Sequence, residues 1–272
     1  QDKGDSEGGE GDGGEEAEGD ELLIETAGEI VPHLGKVMPP QEFAQHYTQF
    51  LPMFVNLTKK QASDAQRSFG VGMIAECMAS AGPCLPAYAQ QLLSLLNTLA
   101  QDQNDEVRNN AIFALGELVY HGRDCIYPYY GEILQTLSNA VVNETNSGAL
   151  DNICGALARL IITNVSRVPL EQVIPVFVRY LPLREDFEEN KWVYQSLTNL
   201  YQMGSQPLLQ NLNPVIKACA ISLHGNQIET ENRSLILNLL QCCHRDFPTE
   251  CTRAAGELPE PVALTLKQAC VS

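Results

Sequence analysis

The sequence predicts an all-α fold, a right-handed solenoid of antiparallel helix pairs wound into a curved superhelix. The first reason is a helical segment that returns at a nearly fixed interval. Phe69 to Cys77, Asn110 to Leu118, Asn152 to Leu160, Trp192 to Leu200 and Glu231 to Leu239 begin 41, 42, 40 and 39 residues apart. The second is that apolar and polar positions keep register through all five copies. A period near forty residues in a helical pattern marks units that cannot bury an apolar face alone and must stack on their neighbours. The third is composition: hydrophobic content of 44% is ordinary for a folded chain, while aromatic residues at 7% and sparse β-branched runs do not suit a large sheet.

The elements follow in chain order. Residues 1–21 carry ten acidic groups against one lysine, with seven glycines and no large apolar residue. Such a stretch buries too little surface to offset chain entropy, so residues 1–20 are expected to be a disordered acidic loop or tail. The folded array is expected over 21–272, as a half-repeat, five helix pairs and a terminal cap. It opens at Glu21 with a helix whose Gly28-Glu29-Ile30 matches the later Gly116-Glu117-Leu118. This is the second helix of a unit whose first helix lies ahead of the acidic tract, and a start at Gln1 reads as a fragment of a longer chain. First helices are expected over Phe43 to Lys60, Pro86 to Gln101, Ile126 to Val142, Pro169 to Tyr180 and Pro207 to Leu223. Four of them hold a proline (Pro52, Pro128, Pro175 and Pro214) that would bend an outer helix. Two short helices, 248–256 and 259–271, would cap the exposed end of the core.

Within the second helices two faces separate. From Asp105 onward, Val107, Ala111, Ala114, Leu115 and Leu118 form a core stripe. Glu106, Asn110, Phe113 and Glu117 form a second stripe at helical spacing on another face. The same register gives Phe69, Gly72 and Glu76; Gly148, Asn152, Gly155 and Arg159; Glu188, Trp192, Gln195 and Asn199; Gln227, Glu231, Ser234 and Asn238. Stacked, these make a column of carboxylates, amides, aromatics and glycines. An extended basic segment needs carboxylates for its ammonium groups, amides for its backbone and aromatic faces for its lysine stems. The predicted binding residues are Glu76, Asn110, Phe113, Glu117, Asp151, Asn152, Glu185, Asp186, Glu188, Glu189, Trp192 and Glu231, with Glu188, Glu189, Trp192 and Asn152 as the main lysine-binding group. Each has a structural rival. Asp186 and Glu189 have capping-box spacing, Glu117 can pair with Arg159 in the next repeat, and Trp192 and Phe113 can fill core space.

Charge narrows the partners. The acidic tract accounts for −9 of the net −17, which leaves −8 on the array. That surface repels phosphate, so no direct nucleic-acid binding is expected, and basic proteins fit it instead. No apolar run approaches the roughly 18 residues needed to cross a bilayer, so no membrane partner is expected. The nine cysteines sit mostly at apolar helical positions without a CxxC pair and read as buried reduced thiols. In Cys242-Cys243-His244, adjacent helical side chains point about 100° apart and no second ligand pair follows, so no metal site is expected. The histidines are scattered and no phosphate-cradling loop or nucleophile elbow occurs, so neither an enzyme nor a cofactor is expected.

The helix-pair period, the prolines of the first helices, Ala-Leu-Gly-Glu-Leu at 114–118 preceded by Val107-Arg108, and the acidic tract resemble HEAT repeats of the importin-β (karyopherin) family. Phe50 to Phe54, Asp105 to Asn110 and Glu188 to Trp192, in that order, are similar to the carboxy-terminal part of one branch of it. The resemblance implies a nuclear import receptor that shuttles between cytoplasm and nucleus. Its cargo would be basic proteins, histones H3 and H4 and ribosomal proteins among them, held on the inner surface. Ran-GTP would act through amino-terminal repeats not in this chain. The rival from another class is a HEAT scaffold that holds protein subunits through its inter-repeat loops.

Overall fold

The computed structural model describes residues 23–24 and 26–271, the side chain of Glu231 excepted, and the expected acidic tail of residues 1–20 lies outside the described residues. Among the described residues fourteen helices are bounded and there is no strand. The chain divides into two compact units, meeting in sequence between Cys84 and Leu85.

The first unit holds α1 (Ile30–Val37), α2 (Pro40–Leu57) and α3 (Asp64–Cys77). α2 packs along α3, and α1 packs on α3 as one second helix does on the next. Ser63 begins α3 with a full capping box: its Oγ accepts the Gln66 N–H at 3.1 Å and its own N–H donates to Gln66 Oε1 at 3.3 Å. Phe43, Tyr47, Leu51, Val71 and Ile74 form the core of the unit.

The second unit contains α4 (Leu85–Leu99), α5 (Asp105–Gly122), α6 (Tyr130–Asn143), α7 (Ser147–Asn164), α8 (Leu170–Arg179), α9 (Asn190–Gln202), α10 (Gln206–Leu209), α11 (Leu212–His224) and α12 (Thr230–Asp246). α5, α7, α9 and α12 stack as one row, and α4, α6, α8 and α11 lie beside them as the other. This is the expected all-α solenoid. α13 (Pro248–Glu257) and α14 (Glu260–Ala269) pack on α11 and α12, covering the last repeat. Val107, Ala111, Ala114, Leu115 and Leu118 are all fully buried, as the apolar stripe requires. Asparagines start two of the stacked helices. Asn104 Oδ1 accepts from the N–H groups of Glu106 and Val107 at 3.0 and 3.1 Å, and Asn146 Oδ1 accepts from Ala149 at 2.9 Å.

The prolines divide into two kinds. Pro52 and Pro175 lie inside α2 and α8 as expected. Pro128 instead belongs to a 3-10 turn over Tyr127–Tyr129 that precedes α6, and Pro214 sits in the first turn of α11, where the missing N–H costs nothing. The single helix expected over Pro207 to Leu223 is interrupted between α10 and α11. No single helix among the described residues is long and apolar enough to cross a membrane.

Candidate functional site

The polar stripe does not stay open along its length. On α5 it is partly exposed at Asn110, Phe113 and Glu117, but on α7 every residue from Gly148 to Ile161 is buried. The cause is small residues at the crossings. A Cβ at Gly116 would stand 3.3 Å from the Cα of Ala156, so α5 and α7 approach almost backbone to backbone. A Cβ at Gly155 would occupy the space of the Glu189 carboxylate.

Arg159 is therefore enclosed, 2% exposed, and becomes the hub of the three helices. Its Nη2 donates to Glu117 Oε1 at 2.7 Å and to Glu189 Oε1 at 2.8 Å, and its Nη1 donates to Glu189 Oε2. Aromatic rings complete the enclosure: the guanidinium carbon lies 5.6 Å from the Phe113 ring centre and 4.9 Å from that of Trp192. Tyr120 closes on Trp192 with centroids 4.4 Å apart. Burial opposes ionisation of Glu117, but hydrogen bonds and charge from His121 and Arg159 outweigh it and hold its pKa below the usual carboxylate value. In Glu189 burial dominates, Arg159 offsets it only in part, and the pKa lies above the usual value. Two acids around one cation thus settle on opposite sides of normal because Glu189 is the more deeply enclosed.

The acidic loop is organised from beneath. Asp151 is 1% exposed, and its Oδ2 accepts three backbone N–H groups, those of Arg184, Glu185 and Asp186, at 2.9, 2.7 and 3.0 Å. The loop is thereby pinned to the start of α7 with Glu185 and Glu188 exposed and Asp186 half-buried. Burial, then the charges of Glu188 and Asp151, push the Asp186 pKa up. A Cβ at Gly148 would stand 3.3 Å from Glu185 Oε2 and 3.5 Å from Asn109 Nδ2, which places the Glu185 carboxylate beside an amide pair. In that pair Asn152 Nδ2 donates to Asn109 Oδ1 at 2.7 Å, while Asn152 Oδ1 has no protein partner. Carboxylates, a buried amide acceptor and the Trp192 ring thus lie on one stretch of α5, α7, α9 and the loop before α9. The arrangement suits recognition of an extended cation-bearing chain.

No protein-family model matches the chain. Over 252 residues, 93% of this chain, it is 33% identical to Importin-4 of Homo sapiens and 31% identical to Importin-4 of Mus musculus. It is 28% identical to a probable importin subunit beta-4 of Schizosaccharomyces pombe over 252 residues, 92% of this chain. The chain is an importin-β-family HEAT-repeat segment. It spans 23% of the length of each of these three relatives. The crystal structure of Kap121p shares the fold, with a TM-score of 0.60 at 12% identity over 89% of this chain and 28% of that one.

In this importin-β-family segment the predicted residues fall into groups. Glu185 and Glu188 are exposed and Asp186, Asn110, Phe113 and Trp192 partly exposed, all in the second unit. Asp151, Asn152 and Glu189 were expected to be open to a ligand, and the structure corrects this: all three are buried, at 1%, 4% and 2% exposure, Asp151 beneath the loop whose N–H groups it accepts and Glu189 across Gly155. Glu189 makes no cap at the start of α9, which begins from a 3-10 turn over Phe187–Glu189, and it holds Arg159 instead. Glu117 pairs with Arg159, the structural rival named for it. Glu76 is exposed on α3 in the first unit, and the side chain of Glu231 lies outside the described residues. Sequence reasoning missed Tyr120 and Asn109. Tyr120 follows Glu117 by three residues and extends the same stripe one turn; Asn109 adjoins Asn110, and nothing in its spacing sets it apart.

Proposed function

We propose that this segment is the cargo-binding part of a nuclear import receptor that shuttles between cytoplasm and nucleus. Its cargo is basic protein, foremost the lysine-rich tail or nuclear localisation segment of histone H3 in H3–H4, with ribosomal proteins in the same class. Ran-GTP acts on such a receptor through amino-terminal repeats outside this chain. The observation that carries the reading is the acidic loop held by Asp151, with Glu185 and Glu188 exposed and the Glu185 carboxylate near the Asn109–Asn152 amides. Those carboxylates lack protein cations at hydrogen-bond distance among the described contacts, so lysine ammonium groups are their natural partners. Trp192 carries Lys191 Nζ at 5.1 Å from its ring centre, and an incoming lysine would replace that exposed side chain rather than the buried Arg159. Relatives named importins support the transport role.

The experiment is fluorescence anisotropy of a labelled histone H3 amino-terminal peptide, against a scrambled peptide of equal charge and a Glu185→Lys, Glu188→Lys double variant. Both side chains are exposed, so reversal of their charge tests binding without opening the Arg159 cluster. Preference for the native order, lost in the variant, is expected. Equal binding of the two peptides, fading together as salt is raised, would sink the specific groove.

One observation favours a second reading. The exposed acids lie on the loop between α8 and α9, while Glu189 and the column residue Arg159 are consumed by each other. A scaffold that holds subunits by its inter-repeat loops has this distribution. It would bind a folded partner and not the isolated peptide.

A further inference from the structure

The last three helices meet at a group of side chains that cargo recognition does not use. His244 lies in the last turn of α12, Cys251 in α13 and Cys270 directly after α14. One ligand atom from each, an imidazole nitrogen and two thiol sulfurs, all lie within 4.8 Å of one another. Cys251 is buried, Cys270 half-buried and His244 exposed. They border a cavity of about 390 Å³ between Thr252, Gly256 and Lys267, which leaves room for a solvent molecule beside the group.

We propose that His244, Cys251 and Cys270 bind one zinc ion, with a solvent molecule as the fourth ligand, and that the ion ties the two capping helices to the last repeat. Imidazole and thiolate are the donors that zinc prefers, and the d¹⁰ ion accepts whatever tetrahedral geometry the protein offers. Zinc–sulfur bonds of about 2.3 Å and zinc–nitrogen bonds of about 2.0–2.1 Å set ligand-to-ligand edges of roughly 3.5–3.8 Å. The ligand atoms must therefore close by about 1 Å, which side-chain rotation supplies, because His244 and Cys270 both stand at helix ends. Hard cations take oxygen donors and find none in this set.

Binding of the ion displaces the thiol protons to solvent. Two thiolates and a neutral imidazole balance the charge of the divalent ion. Each ligand comes from a different helix, so the ion adds a cross-link beside the Lys217–Glu257 ion pair and the His224–Thr265 hydrogen bond that already join the cap to α11. The sequence hides the site: Cys242 and Cys243 draw attention to His244, but its partners lie on other helices.

The test uses the full, reduced chain, stripped of metal by a chelator and titrated with zinc against a chromophoric competitor, with cobalt as a spectroscopic substitute in parallel. One equivalent should bind, cobalt should show tetrahedral ligand-field bands with thiolate charge transfer, and zinc should raise the thermal midpoint until chelator reverses it. Cys270→Ser and His244→Ala alter exposed or half-buried side chains, and each should lower zinc affinity by about 10–100-fold. Cys242→Ser, on the same helix as His244 but outside the group, should bind as the parent does. Circular dichroism without zinc separates lost binding from lost fold. Absence of a stoichiometric equivalent, a signal that follows Cys242 rather than Cys270, or uptake of copper(I) alone would overturn the proposal.

Discussion

Arg159 is stable where it stands only because two carboxylates meet it. An arginine cannot shed its proton inside a protein, and an unpaired buried charge is expensive. The reverse also holds: without Arg159, Glu117 and Glu189 would face each other in a nearly dry site. Arg159→Met is therefore expected to lower unfolding free energy by about 3–5 kcal/mol, measured by urea denaturation. Arg159→Lys should recover only part of this, since an ammonium cannot bridge both acids in a planar fork. The pH dependence of the defect has a definite sign. Glu189 has a raised folded pKa, so its ionisation costs stability above that value and its protonation relieves the cost. The deficit of Arg159→Met should shrink as pH falls through the Glu189 titration, and a deficit constant with pH would contradict this account. Asp186 offers the matching test in binding. Its pKa is raised by burial and by Glu188 and Asp151, so a cationic peptide should favour its ionised form and release a proton. Affinity for the basic peptide should rise with pH through that titration, and Asp186→Asn should flatten the rise.

At the scale of the helices, Gly155 decides what α7 can do. Its missing Cβ is the space that the Glu189 carboxylate fills, so α7 and the start of α9 are joined by a side chain lying across a glycine. Gly155→Ala gains helix propensity but expels the carboxylate from Arg159. The net effect should be a loss of about 1–3 kcal/mol, read from thermal or urea unfolding; a gain in stability would show that the carboxylate is free to move aside. α9 also differs from α5 and α7 at its beginning. Those two start on asparagine caps, whereas α9 starts from a 3-10 turn without a side-chain cap. The loop before α9 owes its order instead to Asp151, one carboxylate oxygen shared by three N–H groups of the next repeat. The exposed acids are thus placed by a buried one.

For the whole molecule the relevant quantity is charge. The net charge is −17, and the first 21 residues carry −9 of it. A field of that sign gathers basic chains by long-range attraction and is screened beyond about 10 Å in 0.1 M salt. Removal of residues 1–21 should therefore slow association of the basic peptide at low salt by a factor of about 10 or less. Its dissociation rate should barely change, which stopped-flow fluorescence would check. Faster association after removal would instead mark the tract as a competitor for the groove.

The sequence by itself determined the array: the forty-residue period, the apolar stripe of Val107, Ala111, Ala114, Leu115 and Leu118, the capping pair at the end and the acidic charge are all local patterns read along one helix at a time. It also brought Glu117 and Arg159 into register, because both lie on the same stripe in successive repeats. Only the tertiary structure decided which acids face solvent. Spacing assigns a residue to a face of its helix, but exposure of that face depends on how closely the next helix approaches. Gly116 lets α5 and α7 come almost to backbone contact and Gly155 leaves room for the Glu189 carboxylate, so Asn152, Arg159 and Glu189 became interior while Glu185 and Glu188 stayed outside. The gathering of His244, Cys251 and Cys270 from three helices is of the same kind, since no period along the chain encodes the packing of a cap.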